Sequence, residues 1–172
     1  MKKLLVFMLL CLSLCSCKKQ KVSNENINRR IRLEYGGTYS FGQDVEEGSV
    51  GSILIYPDMD GTVLFFVDVC RGAPSYNMGT LYGRVRITND SGVFYTKFDF
   101  SDIGCRWKFQ FTKNNLSIKT IDDQCGCGFG NAVFVDGEYK KNSDTIPEYF
   151  ENLDSKKIFF KNTKPEDYYK DE

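Results

Sequence analysis

Histidine is absent from this 172-residue chain, and that absence excludes a large block of chemistry. Without histidine there is no Ser-His-Asp or Cys-His catalytic pair, no imidazole ligand for a metal, and no side chain that titrates near neutrality unperturbed. An excess of positive charge is missing too. The 23 Lys plus Arg are balanced by 23 Asp plus Glu, which argues against nucleic acid as a partner. No apolar run approaches the roughly 18 residues that a membrane-spanning helix requires. Between residues 35 and 141 no segment of ordinary helix length repeats its apolar residues at helical spacing. The glycine-rich stretch 126–130 has no lysine after it and opens no helix, so it is not a phosphate loop. Acidic pairs exist, Asp58 with Asp60 and Asp122 with Asp123. Both sit in turn sequence without the longer ligand ladder of a calcium loop and read as solvated turn residues.

What is present begins at the N-terminus. Lys2 and Lys3 precede an apolar run from Leu4 to Leu14, and Leu14-Cys15-Ser16-Cys17 leads into Lys18 and Lys19. A charged start, a short apolar core and a small residue at the cut site make a secretory signal. With Leu14 three positions ahead of Cys17 and Ser16 just before it, the segment resembles the lipobox of bacterial lipoproteins. Cys15 is a poorer acceptor because the larger Leu14 precedes it. The resemblance implies that residues 1–16 are a signal peptide and that Cys17, acylated with fatty-acid chains such as palmitate, is the first mature residue. It also implies a cell-envelope location anchored to a membrane. Surface-exported lipoproteins of some bacteria carry acidic residues soon after the acylated cysteine. Lysines stand there instead, which points to the periplasmic side.

From Lys18 to Arg32 six basic residues are opposed only by Glu25. A segment of that composition buries too little apolar surface to order itself, so residues 17–32 are expected to form a flexible, lipid-anchored tether. On random-coil scaling it would hold the folded body on the order of 20 Å from the membrane. Its charge suits anionic head groups equally well.

Aromatic residues make up 15% of the chain, and they alternate with polar ones. Leu81, Gly83, Val85 and Ile87 oppose Tyr82, Arg84, Arg86 and Thr88; Cys105, Trp107, Phe109 and Phe111 oppose Arg106, Lys108, Gln110 and Thr112. Phe94, Thr96, Phe98 and Phe100 share a face in the strand before that. Period-2 alternation of this kind marks strands with one dry face and one wet face. Turn chemistry such as Pro57-Asp58-Met59-Asp60-Gly61 and Asn89-Asp90-Ser91-Gly92 separates them. Eight sequential strands are expected, the first holding Tyr35 to Phe41 and the last running from Asn131 through Tyr139. Tight turns favour an antiparallel up-and-down meander, and closure removes two aggregation-prone edges. The fold class predicted is therefore all-β, an eight-stranded barrel over residues 33–141, with a two-sheet sandwich as the alternative. From Gly37-Thr38-Tyr39 to Asp136-Gly137-Glu138-Tyr139 the order of elements resembles the small lipocalin-like barrels of bacterial envelope proteins. Residues 142–172 form an extension expected to pack on the barrel, with Lys156 to Lys161 adding a strand or crossing a barrel mouth. Thr163-Lys164-Pro165-Glu166 has the form of a capping box opening a short helix.

Four cysteines follow the anchor: Cys70, Cys105, Cys125 and Cys127. An exported domain favours disulfides, and four cysteines allow three connectivities. Cys125 and Cys127 are poorly placed to join each other. Cys105 opens one strand and Cys127 precedes another, so Cys105 with Cys127 is the preferred bridge and Cys70 with Cys125 a possible second. The spacing does not suit zinc, and no metal or other cofactor is expected.

One connection is longer than a hairpin needs. Residues 71–79 offer a guanidinium, a hydroxyl, a phenol and an amide together in Arg71, Ser75, Tyr76 and Asn77. Recognition surfaces on rigid barrels are commonly built from such loops. The expected function is a non-catalytic, monomeric binding module in the envelope, gripping a protein or glycan partner through barrel-end loops. That design is similar to the membrane-bound lysozyme inhibitors, small anchored barrels with a disulfide, although no motif carries their inhibitory residues across. The alternative is a carrier of a small apolar ligand inside the barrel.

Overall fold

The computed structural model describes residues 24–121 and 124–170. The signal segment 1–16, Cys17 and the first residues of the tether lie outside them, as does the side chain of Cys125. The eight strands are β1 (Gly37–Phe41), β2 (Val50–Pro57), β3 (Thr62–Cys70), β4 (Met78–Arg86), β5 (Ser91–Thr96), β6 (Cys105–Phe111), β7 (Asn115–Thr120) and β8 (Gly137–Ser143). They form one antiparallel sheet in the order β4-β3-β2-β1-β8-β7-β6-β5. Because β1 pairs with both β2 and β8, the two ends of the meander join, and the sheet curls into a nearly closed barrel. A sandwich of two sheets is excluded. The remaining gap is a seam between β4 and β5, which meet through the Thr88–Ser91 bridge beside their turn.

Alternation puts the large side chains inside. Val63, Phe65, Val67 and Val69 from β3 face Cys105, Trp107, Phe109 and Phe111 from β6, all buried. Phe65 stands edge-on to Phe94 with ring centroids 5.0 Å apart and lies 4.9 Å from Phe109. Phe94 is 5.4 Å from Trp107. These rings fill the barrel as organic solids fill space. Two buried tyrosines use the same device for their polar tips. Tyr39 donates to the Tyr35 carbonyl and Tyr139 to the Val135 carbonyl, each at 2.8 Å, and burial pushes both phenols well above their ordinary titration range.

The short turns 58–61, 87–90 and 112–114 share one end of the barrel, and a helix crosses it. Residues 24–34 are helical and are named α1, so the tether expected to continue to Arg32 ends earlier. The physical reason is a stripe that the charge concealed. Ile27, Ile31 and Tyr35 recur four apart, on one helical face. Ile31 is 2% exposed within the core, and Tyr35 stacks on Phe111 at 4.6 Å. Asn28 accepts the Gly61 N–H at 3.0 Å, while Arg30 and the Tyr35 hydroxyl both reach Asp90.

The strand boundaries differ from expectation at two places. β5 stops at Thr96, because β6 begins at Cys105 opposite it and leaves 97–100 without a partner strand. Phe100 is accordingly outside, 68% exposed and stacked on Phe98 at 5.0 Å. β8 starts at Gly137 and runs to Ser143, so residues 131–135 belong to the preceding loop.

The C-terminal extension forms a hairpin of β9 (Tyr149–Glu151) and β10 (Lys157–Phe159), then α2 (Pro165–Tyr168). It covers the outer face of β3 and β4 and does not cross a mouth of the barrel. Leu64, Phe66 and Tyr82 pack there against Phe150, Ile158 and Phe160, with Phe66 stacked on Phe150 at 4.1 Å. Covered on both sides, β3 reads as an uninterrupted apolar run from Val63 to Val67. The capping box is not formed: Lys164 is the N-cap, makes no side-chain cap bond, and places Pro165 at the first helical position.

Tyr169, directly after α2, protects the seam. The Tyr82 N–H on the free edge of β4 donates to the Tyr169 hydroxyl at 2.9 Å, and that hydroxyl donates to the Tyr82 carbonyl at 3.0 Å. Its ring also meets Phe98 at 5.3 Å. A raw edge is thus paired by a phenol. Tyr169→Phe keeps the packing and removes both bonds, so urea denaturation should show a loss of about 1–2 kcal/mol. An unchanged midpoint would mean that water satisfies the edge equally well.

Candidate functional site

The long connections, residues 42–49, 71–77, 97–104 and 121–136, all emerge at the end opposite α1. The longest one seals the barrel. Val133 and Val135 are buried, and Phe129 meets Trp107 with centroids 5.7 Å apart. Cys127, in the 3₁₀ turn Gln124–Cys127, is disulfide-bonded to Cys105 at the start of β6, with their Cα atoms 4.6 Å apart. The preferred bridge is therefore present. The second is not, because Cys70 keeps a free thiol. Cys70 ends β3 on the outer face, where its sulfur accepts the Gly72 N–H at 3.4 Å, while Cys105 faces the interior.

The glycines of 126–130 have a structural purpose. A side chain at Gly126 would lie 2.4 Å from the Ile103 carbonyl oxygen. Gly128 has φ +74 and accommodates the Phe100 ring, 2.8 Å from where its Cβ would be. Loop 97–104 thus seats on one side of this segment. Loop 71–77 reaches the other, where Asn77 Nδ2 donates to the Asn131 carbonyl at 2.8 Å and the Gly130 N–H to the Met78 carbonyl at 3.0 Å.

The four residues singled out in the sequence are brought to this end, but in two roles. Asn77 ties two loops together. Tyr76, in the left-handed region at φ 51, donates to Glu46 at 2.6 Å and joins its loop to 42–49; that bond holds its proton more tightly than usual. Ser75 is exposed, and Arg71 is partly so. The Arg71 N–H donates to the Asn77 carbonyl at 2.9 Å and its carbonyl accepts from Ser49 at 2.9 Å, closing the loop.

Sequence reasoning missed the apolar side chains at the same end of the barrel. Met78, Phe100, Ile103, Ile121 and Phe134 are all exposed. Phe134 sat in an expected strand and Phe100 on an expected inner face, so the alternation that revealed the barrel hid them. Beside them a shallow groove of about 550 Å³ is lined by Phe41, Val45, Val50, Asp68, Cys70 and Tyr76, among others. Partial burial pushes the Asp68 carboxyl above its ordinary range. Among the described residues, no group of three or more Cys, Asp or Glu side chains converges as metal ligands.

No protein-family model, curated protein or solved structure matches the chain. The arrangement itself is a rigid, disulfide-pinned platform whose loops present apolar and hydrogen-bonding groups to the outside. Where surfaces of mixed character do form interfaces, a few large anchors supply most of the affinity.

Proposed function

We propose that this protein is a lipoprotein of the cell envelope, anchored through Cys17, that binds a protein or glycan partner without catalysis through the long-loop end of its barrel. The observation that carries this reading is the filled and sealed interior. Phe65, Phe94, Trp107 and Phe109 occupy the space an apolar ligand would need, and Phe129 closes the mouth above them. Carriage requires a cavity; binding by loops requires a firm base. The direction of the chain supports the same reading. Helix α1 lies across the opposite end, so a membrane anchor preceding it leaves the long loops facing away from the lipid.

The test is affinity capture from envelope extract with the full, acylated protein, comparing an Arg71→Ala/Tyr76→Ala variant and a Phe100→Ser/Phe134→Ser variant with a Lys119→Ala control on the outer wall. Urea denaturation of each variant accompanies the capture, so that lost binding is read only where the fold is retained. Loss of one or more anchors should weaken partner binding by about 2 kcal/mol or more, emptying the captured fraction for the loop variants and sparing the control. Equal recovery by all three would remove the loop end as the binding surface.

A further inference from the structure

A second surface, at the α1 end, has a different chemistry. Between α1 and the C-terminal extension lies an open cleft of about 540 Å³, lined by Arg29, Arg32, Lys161 and Lys164 together with Asn28 and Tyr56. Asp58 is the one acidic residue on its wall, and it is already engaged by Arg84 at 3.3 Å and Lys164 at 3.1 Å. Among the described residues, Arg29, Arg32 and Lys161 pair with no carboxylate. The other flank of the same helix is balanced. There Arg30 pairs with Glu34 and Asp90, and Lys141 with Asp144. On that flank Arg30, Lys113 and Lys141 face Glu34, Asp90 and Asp144, whereas around the concave cleft four cations face one carboxylate.

We infer that this cleft receives the phosphate head group of an anionic membrane lipid and seats the α1 end of the barrel on the bilayer. The inference rests on the proposed anchor at Cys17. Residue 24 is seven positions from that cysteine, and seven residues span about 25 Å at most, so an anchored chain keeps the cleft within reach of the lipid surface. Lys18, Lys19 and Lys21 fall between that cysteine and residue 24 in the sequence. Each cation near an anionic surface strengthens attachment about fivefold, less so as salt screens it. Docking here also fixes the long loops at the far end of the barrel, pointing away from the membrane.

The experiment is amide hydrogen exchange on the full chain, purified from membranes and reconstituted in phosphatidylcholine vesicles with or without phosphatidylglycerol. Exchange over residues 24–34 and 156–164 is expected to slow several-fold when phosphatidylglycerol is present. High salt should abolish the slowing, and so should Arg29→Ala/Arg32→Ala. Lys161→Ala, on a different element, should weaken it as well, which separates lost binding from a helix that fails to form. Identical exchange in the two vesicle types overturns the inference. So does slowing on neutral vesicles with inorganic phosphate alone, which would make the cleft a site for a soluble anion. Intact mass of the same sample reports the anchor independently. An unacylated chain that still responds to phosphatidylglycerol removes the anchor and keeps the head-group site, whereas an acylated chain without a response does the reverse.

Discussion

Trp107→Ala is expected to destabilise the protein by about 3–5 kcal/mol, the range for removing a large aromatic side chain from a packed core. Trp107 is fully buried, and its ring is within 6.4 Å of those of Phe65, Phe94, Phe109 and Phe129. Its indole N–H has no acceptor among the described residues, so the substitution takes away contacts and no hydrogen bond. The hole left behind would be lined by aromatic rings and therefore dry, a site for a small apolar guest. Benzene should raise the melting temperature of the variant and leave that of the wild type unmoved. Stabilisation of the wild type by benzene would show an interior with room to spare and would favour carriage over loop binding. Since domains of this size are stable by only about 5–15 kcal/mol, denaturation of the variant is best followed by urea at low temperature.

Loss of the Cys105–Cys127 bridge should have the next largest effect. The two cysteines are 22 residues apart, and closing a loop of that length contributes about 3 kcal/mol in the chain-entropy treatment. The Cys105→Ala/Cys127→Ala variant is expected to lose that amount in urea denaturation. Reductant should lower the wild type toward the variant and leave the variant where it is. The loss should also be local. Loop 121–136 is pinned at Cys127 and covers the Trp107 end of the barrel through Phe129, so protease cleavage within this loop should appear first in the variant. A variant whose midpoint and cleavage pattern match the wild type would mean that Phe129, Val133 and Val135 hold the loop without help.

These effects concern the platform, and the proposed activities depend on it differently. The loop end needs the disulfide and the glycine segment 126–130 to keep three loops in register. The α1 end needs only the helix and the extension to hold four cations around one cleft. Variants at the two ends should therefore separate: loop substitutions change partner recovery, and Arg29 or Lys161 substitutions change the response to anionic lipid.

Much of the fold was legible in the residues. Alternation in β4 and β6 specified which side chains face inward, because a strand has a period of two and a barrel has one dry side. Turn residues at 58–61 and 89–92 marked where consecutive strands fold back. Of the three possible connectivities, the preferred Cys105–Cys127 bridge is the one the structure shows. Other features were hidden by the patterns that made these visible. The charge of residues 18–32 masked the Ile27, Ile31, Tyr35 stripe of α1. Phe100 continued an inward alternation that the chain abandons where its partner strand begins.

The sequence by itself determined the class of fold and the inner faces of β4 and β6, since both depend on residue type and local spacing. Tertiary structure alone decided that α1 lies against Gly61 and Asp90, that the extension covers the outer face of β3, and that Arg29, Arg32, Lys161 and Lys164 surround one cleft. Each of these joins segments far apart in the chain, and such contacts depend on how whole surfaces fit together, a property no local run of residues carries.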